Sequence, residues 1–247
     1  MDALLLAAVA LWCFAVALVG GTAGLVLGNI RLPALLLVAS SPAAGAGANI
    51  AVSGIAAATA GVAHVRAGRI DWRLVRWLAL PSIAGAVAGG LVSGLLPEQA
   101  LLAVIGVTLL WFGIDLLRPH APRTPGRDAT PAALVVTGLG IGLLGGLVGL
   151  ILGALRLPAL LRMGVSAERA IGTNLVVGVL VGLAGLIGHA PGGVDWLLLA
   201  VCGAASIPGA LIGARLTGRL DERTLPRVVG SILLVAATAM LLEAALR

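Results

Sequence analysis

Apolar runs of about 20 residues, separated by short clusters of Gly, Pro and Arg, recur along the 247-residue chain. Each run is long enough to cross a hydrocarbon core of about 30 Å as a helix. The composition agrees: 60% of the residues are hydrophobic and 11% charged, with a mean hydropathy of +1.13, whereas ordinary soluble domains carry about 25% charged residues. A transmembrane β-barrel needs alternating segments of about ten residues flanked by aromatic girdles. No such alternation occurs, and an aromatic content of 3% without any Tyr cannot supply the girdles. The sequence therefore predicts an all-α polytopic membrane protein.

The net charge of +6 comes entirely from Arg, since the chain has no Lys. In a soluble protein this balance would suggest nucleic acid; here the Arg residues gather between apolar runs, where topology accounts for them. Cys13 and Cys202 both lie inside apolar segments and imply neither a disulfide framework nor a zinc site. Asp2 with no basic segment before the first apolar run does not read as a cleaved signal peptide. There is no Walker A loop and no HExxH cluster, so neither an enzyme, a metal nor a cofactor is expected.

The chain repeats itself, as transporter folds often do. GGTAGLVLGNIRLPALL from Gly20 and GGLVGLILGALRLPALL from Gly145 agree at 12 of 17 positions with an offset of 125. The same offset places Asn49 on Asn174 and His64 on His189. After a one-residue deletion Asp71 and Trp72 meet Asp195 and Trp196, Gly85 meets Gly209, and Gly106 meets Gly230. Apolar composition alone would not keep Arg, Pro, Asn, His and Trp in register. The expected organisation is a first transmembrane repeat over 1–117, a polar linker over 118–130 and a second repeat over 131–247.

Each repeat reads as about four transmembrane helices plus a broken or re-entrant segment. In the first half the elements run over roughly 3–27, 28–42, 47–65, 74–95 and 99–117; in the second, over roughly 131–152, 153–166, 169–188, 196–218 and 224–245. Pro33 and Pro158, with Gly28 and Gly153, predict the breaks. Non-helical backbone at membrane depth is tolerated only when buried in protein or lining a cavity, so the breaks are the first places to look for a site. The loop from His64 to Arg76 holds Arg66, Arg69, Arg73 and Arg76, while its counterpart after His189 holds none; around Glu98 there is no Arg, while the counterpart carries Arg215, Arg219, Arg223 and Arg227. If cytoplasmic loops collect Arg, corresponding loops face opposite sides and the repeats are inverted. That requires each broken stretch to complete a crossing, which also puts Arg118, Arg123 and Arg127 inside. The alternative is eight helices in two parallel repeats.

Two halves that each open with a Gly-rich helix, run into a Pro-Leu stretch and continue into a small-residue helix bearing Asn resemble the TauE/SafE sulfite exporter family, transporters of the toluene-sulfonate uptake permease type. The resemblance covers nearly the whole chain and is most specific in GLVLGNIRLPALLL from Gly24, GLILGALRLPALL from Gly149 and AERAIGTNLVVG from Ala167. Of the glycine triplet usual before the Pro, Gly24 with Gly28 and Gly149 with Gly153 remain, and Arg31 and Arg156 stand where the family more often has apolar residues. The resemblance implies transport of sulfite, thiosulfate, sulfonates or related anions.

Arg31 and Arg156 are flanked by apolar residues, and a charge near the bilayer centre costs about 2.5 to 3.5 kcal/mol even on the lenient insertion scale. They form a positive anion site through bidentate guanidinium contacts, cap the helix preceding each of them, or snorkel. Asn49 and Asn174 line the pathway or bridge closely packed helices. Gly47 and Gly172 leave backbone open, and helix N-termini near Ala48 and Thr173 would present amides to an anion; Ser40, Ser41 and Ser166 are weaker candidates. His64 and His189 read as interface residues, with titration during transport as the alternative. Asp71 and Asp195 are expected to cap the following helices, and Asp115 to pair with Arg118. The expected substrate-binding set is Arg31, Arg156, Asn49, Asn174, Gly28, Gly153, Pro33, Pro158 and Thr173.

The resulting expectation is a multi-pass secondary transporter of the bacterial inner membrane. Its partners are a small anionic substrate and the lipid bilayer, with no nucleic acid and with homo-oligomerisation left open. An anion channel on the same scaffold and a non-transporting, partner-binding membrane protein are the alternatives.

Overall fold

The computed structural model describes residues 3–40, 42–91, 98–118, 130–148, 151–189, 194–217 and 224–246. Within them lie ten helices: α1 (Ala3–Ala23), α2 (Gly28–Leu36), α3 (Pro42–Arg66), α4 (Trp72–Leu91), α5 (Glu98–Leu117), α6 (Pro131–Val148), α7 (Gly153–Arg162), α8 (Ala167–His189), α9 (Trp196–Thr217) and α10 (Thr224–Leu246). The expected linker at 119–129, with Arg123 and Arg127, lies outside the described residues, as do Asp2, Ser41, Gly149, Gly192, Arg219, Arg223 and the side chains of Glu98 and His189. Among the described residues Ala3–Ala23, Gly47–Arg66, Ala167–Ile187 and Trp196–Leu216 are long and apolar enough to cross a membrane.

The first break precedes its proline. The chain turns at Gly24, whose φ of +68° suits glycine and where a Cβ would run into the side chain of Ile171. Helix α2 then starts at Gly28 and includes Pro33; α7 starts at Gly153 and includes Pro158. Each proline sits just past the first turn, so its missing N–H leaves unpaired only a carbonyl at the helix start. Helix α3 begins at Pro42 instead of near 47, because proline suits the first helical position, where its N–H would have no partner anyway.

Glycines let the repeats interlock. Helices α1 and α9 run parallel, Phe14 facing Gly209 and Leu18 facing Gly213; α4 and α6 run parallel in the same way, Leu78 facing Gly138 and Ser82 facing Gly142. A Cβ at Gly209 would collide with the carbonyl of Phe14, and one at its equivalent, Gly85, with the carbonyl of Leu139. Two equivalent helix pairs run antiparallel. In α3 and α8, Gly61 meets Leu175, Gly54 meets Gly182 and Ile50 meets Gly185; in α5 and α10, Gly106 meets Leu241, Gly113 meets Leu234 and Leu117 meets Gly230. A pseudo-twofold along the membrane normal would keep equivalent helices parallel, so the axis lies in the membrane plane and the repeats are inverted.

An odd number of passes per half follows. Helix α2 carries the chain back along α1: Trp12 Nε1 donates to the Ile30 carbonyl at 3.3 Å, Leu35 shares an apolar cluster with Val9, and the Ser40 amide donates to Asp195 at the start of α9. The parallel eight-helix alternative is thereby corrected. In space the halves exchange helices. Helices α1 and α3 pack with α9, with α2 against both of them and α1 and α2 touching α10; α6 and α8 pack with α4, with α7 against both of them and α6 and α7 touching α5; the seams between the two bundles are α3 against α8 and α5 against α10.

Candidate functional site

The two half-helices start near the centre of the molecule. Val26 and its equivalent Ile151, each just before its half-helix, both reach Gly178, one turn from the Gly54–Gly182 crossing of α3 and α8. Gly28 lies against Asn49 and Ser53, and Gly153 against Asn174, so that a Cβ at either glycine would crowd the Asn amide. The N-caps, Leu27 and Leu152, supply no side-chain cap, and the first turn of each half-helix points its amides toward this central region.

Arg31 in α2 and Arg156 in α7 are each 1% exposed. Arg31 Nε donates to Asn49 Oδ1 at 3.1 Å and its Nη2 to Ser53 Oγ at 2.5 Å. Arg156 Nη1 donates to Asn174 Oδ1 at 3.2 Å, and Arg156 Nε is buried without a partner among the described residues. The Asn174 amide nitrogen donates to the carbonyls of Gly24 at 2.7 Å and Gly153 at 3.1 Å, so one side chain ties the break of the first repeat to the half-helix of the second. Snorkelling is excluded for both arginines, because they turn inward onto Asn. Their hydrogen bonds run to side chains of α3 and α8 rather than to carbonyls of the preceding helix. A cavity of about 10 Å³ borders Arg31, lined otherwise by apolar side chains such as Val16, Leu25 and Leu175; it has room for a single water.

The structure thus brings Arg31 to Asn49 and Gly28, and Arg156 to Asn174 and Gly153, but it keeps the two units apart. Because Leu175 meets Gly61, Asn174 lies beside residue 62 of α3, about 13 residues from Asn49, or roughly 20 Å at 1.5 Å per residue. Pro33 and Pro158 belong to the half-helices themselves. Ala48 and Thr173 are not at helix N-termini: α3 and α8 begin at Pro42 and Ala167, so those amides lie within the helices, and the amides that face the centre are those of α2 and α7. Thr173 Oγ1 accepts from the Asp71 N–H at 3.1 Å, and Gly172 lies against the carbonyl of Arg69, docking the start of α4 on α8. Ser53, absent from the sequence-based set, is a partner of Arg31; its position four residues after Asn49, on the same helix face, was the available signal.

Outside the centre, Asp71 Oδ1 accepts from the amides of Arg73 and Leu74 and Asp195 Oδ1 from that of Leu198, so both caps form as expected. Partial burial works against the ionised Asp195, but hydrogen bonds from Leu198, Ser40 and Leu197 outweigh it and hold its carboxyl below the usual value. Asp115 pairs with Arg162 of α7 at 3.5 Å, and Arg162 also stacks 4.5 Å from the Trp111 ring centroid. His64, expected at the interface, is fully buried in the last turn of α3, with neither ring nitrogen partnered among the described residues. Ser166 accepts the Ala170 amide through its backbone carbonyl.

Comparison with known proteins agrees with this architecture. The family model described as "Sulfite exporter TauE/SafE" matches residues 9–240. Among curated relatives, "Probable membrane transporter protein YjnA" of Bacillus subtilis is 26% identical over 240 residues, covering 90% of this chain and 92% of the relative. "Probable membrane transporter protein y4hK" of Sinorhizobium fredii is 29% identical over 245 residues, covering 93% and 95%. A "Probable membrane transporter protein" of Haemophilus influenzae is 27% identical over 210 residues, covering 79% and 78%. No solved structure matches. The chain belongs to the TauE/SafE sulfite exporter family.

Proposed function

We propose that this chain is a secondary transporter of a small anion, a sulfur oxyanion or organosulfonate, in the bacterial inner membrane. It works by alternating access between its two pseudo-symmetric halves. The observation that carries the proposal is the pair of buried guanidiniums: neither Arg31 nor Arg156 faces a carboxylate among the described residues. A buried charge that is not neutralised is costly, and the neutral oxygens of Asn49, Ser53 and Asn174 offset that cost only in part. An anion offsets the rest. The family's printed description names sulfite, and the planar guanidinium matches two oxygens of such an ion.

The half-helix amides around Gly28 and Gly153 add donors of the same sign, while Pro33 and Pro158 lie within the half-helices that carry the arginines. Thr173 keeps α4 docked beside Asn174. A small oxyanion spans a few ångströms, far less than the roughly 20 Å between the Asn residues, so a single ion does not bridge the two Arg–Asn units. The burial of both units speaks for an occluded carrier over an open channel. Purified protein in liposomes should give saturable uptake of labelled sulfite or thiosulfate with counterflow. Ohmic anion currents far above carrier turnover would refute the carrier, and the absence of any anion flux would refute the proposal.

A further inference from the structure

The two Arg–Asn units are equivalent by descent but not in their chemistry. A guanidinium presents Nε–H and Nη2–H side by side along one edge, the fork that grips two oxygens at once. In Arg31 that fork is already filled by oxygens of the protein, Nε by Asn49 Oδ1 and Nη2 by Ser53 Oγ. In Arg156 the Asn bond goes to the opposite side, through Nη1, and Nε is buried with no acceptor among the described residues.

The sequence supplies the cause. The repeat offset of 125 that pairs Arg31 with Arg156 and Asn49 with Asn174 pairs Ser53 with Gly178. The hydroxyl that occupies the first fork has no counterpart at the second. Asn174 is moreover spent on the carbonyls of Gly24 and Gly153, which fixes its oxygen on Nη1. A buried donor without an acceptor is costly enough to be rare, and here it is the edge of a full positive charge. The cavity beside Arg31 does not compete, because it has room for no more than a single water and its other walls are apolar.

From this asymmetry we infer that Arg156, and not Arg31, takes the anion, and that Gly178 keeps its fork free to do so. The first repeat displays, in Asn49 and Ser53, the pair of oxygens that the second awaits from its ligand. The ligand is an oxyanion with two oxygens on one face that accept and do not donate; a halide offers the fork one atom for two parallel donors and fits it less well. Arg31 is a positioning residue that fastens α2 to α3. This assignment rests on the proposed anion transport.

The test uses thermal unfolding of the intact purified protein against a titration of sulfite, thiosulfate, sulfate or chloride. Wild type should be stabilised by oxyanions and far less by chloride. Gly178→Ser places a hydroxyl where Ser53 stands in the first repeat, and a Cβ there has ordinary contacts, 3.4 Å from Val26 and 3.9 Å from Ile151. The variant should fold, yet bind the oxyanion at least ten-fold more weakly, with Gly178→Ala losing much less. Arg156→Gln and Arg156→Lys should both lose the oxyanion response, the second because it keeps the charge but not the fork. Arg31→Gln should lower the unfolding temperature without ligand and weaken binding much less than Arg156→Gln does. A larger loss of binding in Arg31→Gln than in Arg156→Gln, or equal losses in Gly178→Ser and Gly178→Ala, overturns the assignment while leaving anion transport standing. A wild type that responds to no anion overturns both.

Discussion

Asn174→Ala removes the side chain that joins the two broken segments, and its cost can be worked from three bonds. The charge-assisted bond from Arg156 at 3.2 Å carries about 1.5 to 3 kcal/mol, and the two amide bonds to Gly24 and Gly153 at 2.7 and 3.1 Å about 0.5 to 1.5 kcal/mol each. Polar pairs inside membrane proteins average nearer 0.6 kcal/mol, because the unfolded chain in the bilayer finds other partners. The expected total is therefore about 2 to 3 kcal/mol. For a chain of this size, about 2 to 4 °C per kcal/mol makes the fall in unfolding temperature on the order of 5 to 10 °C. Asn49→Ala is the internal control. It loses the bond from Arg31 Nε at 3.1 Å, but Ser53 keeps Nη2, so about 1 kcal/mol and a few degrees are expected. Tryptophan fluorescence of both variants during heating in one detergent measures the difference. Equal losses, or a larger loss in Asn49→Ala, would refute the reading that Asn174 ties the halves together.

Gly24→Ala forces a side chain into φ +68° against Ile171 and should cost about 2 to 4 kcal/mol; an unchanged unfolding temperature would count against the turn. In a background without Cys13 and Cys202, cysteines at positions 69 and 219 should label from the same side of the membrane, whereas labelling from opposite sides would exclude the inverted topology. Asp195 has its carboxyl held below the usual value, so its contribution is present above about pH 4 and lost as pH falls through the lowered value. Asp195→Ala should accordingly cost about 0.5 to 2 kcal/mol at neutral pH and progressively less in acid. Arg162→Ala removes both the stacking on Trp111 and the pair with Asp115, a loss on the order of 1 kcal/mol that a shift in Trp111 emission would accompany.

Much of the fold was legible because it is written in features that act over a few residues or repeat exactly once. Apolar length predicted the helices, the offset of 125 predicted the halves, and the uneven Arg loops predicted an odd number of passes, which the antiparallel contact of Gly54 with Gly182 bears out. Asp71 and Asp195 were found as caps because capping is local. Helix starts were harder: Pro42 looks like a breaker, yet serves as a first helical residue, so amides were assigned to Ala48 and Thr173 that belong to the middle of their helices. The burial of His64 is not legible in the sequence, because a pattern along one chain cannot tell protein from lipid at a helix end; it depends on neighbours distant in sequence. The Arg–Asn pairing was visible only as a shared spacing of 18 residues in both halves. Ser53 stands where the repeats differ, opposite Gly178, so the identities between the repeats carry no sign of it.

Those differences distribute the restraints on the two half-helices unequally. Helix α2 is held at its start, where the fork of Arg31 closes on Asn49 and Ser53, while Leu37 just beyond its end is exposed. Helix α7 is held at its end, where Arg162, the equivalent of Leu37, reaches Asp115 and the ring of Trp111, and Trp111 stands at the position equivalent to Val235 of α10. A half-helix fastened at its outer end does not need its inner arginine for placement. The second repeat can leave the fork of Arg156 open without losing the position of α7, whereas the first, with no such tie at Leu37, uses its arginine as the fastening. The asymmetry at Ser53 and Gly178 and the asymmetry at Leu37 and Arg162 are thus two sides of one arrangement, and removing Arg162 should loosen α7 where removing Leu37 leaves α2 in place.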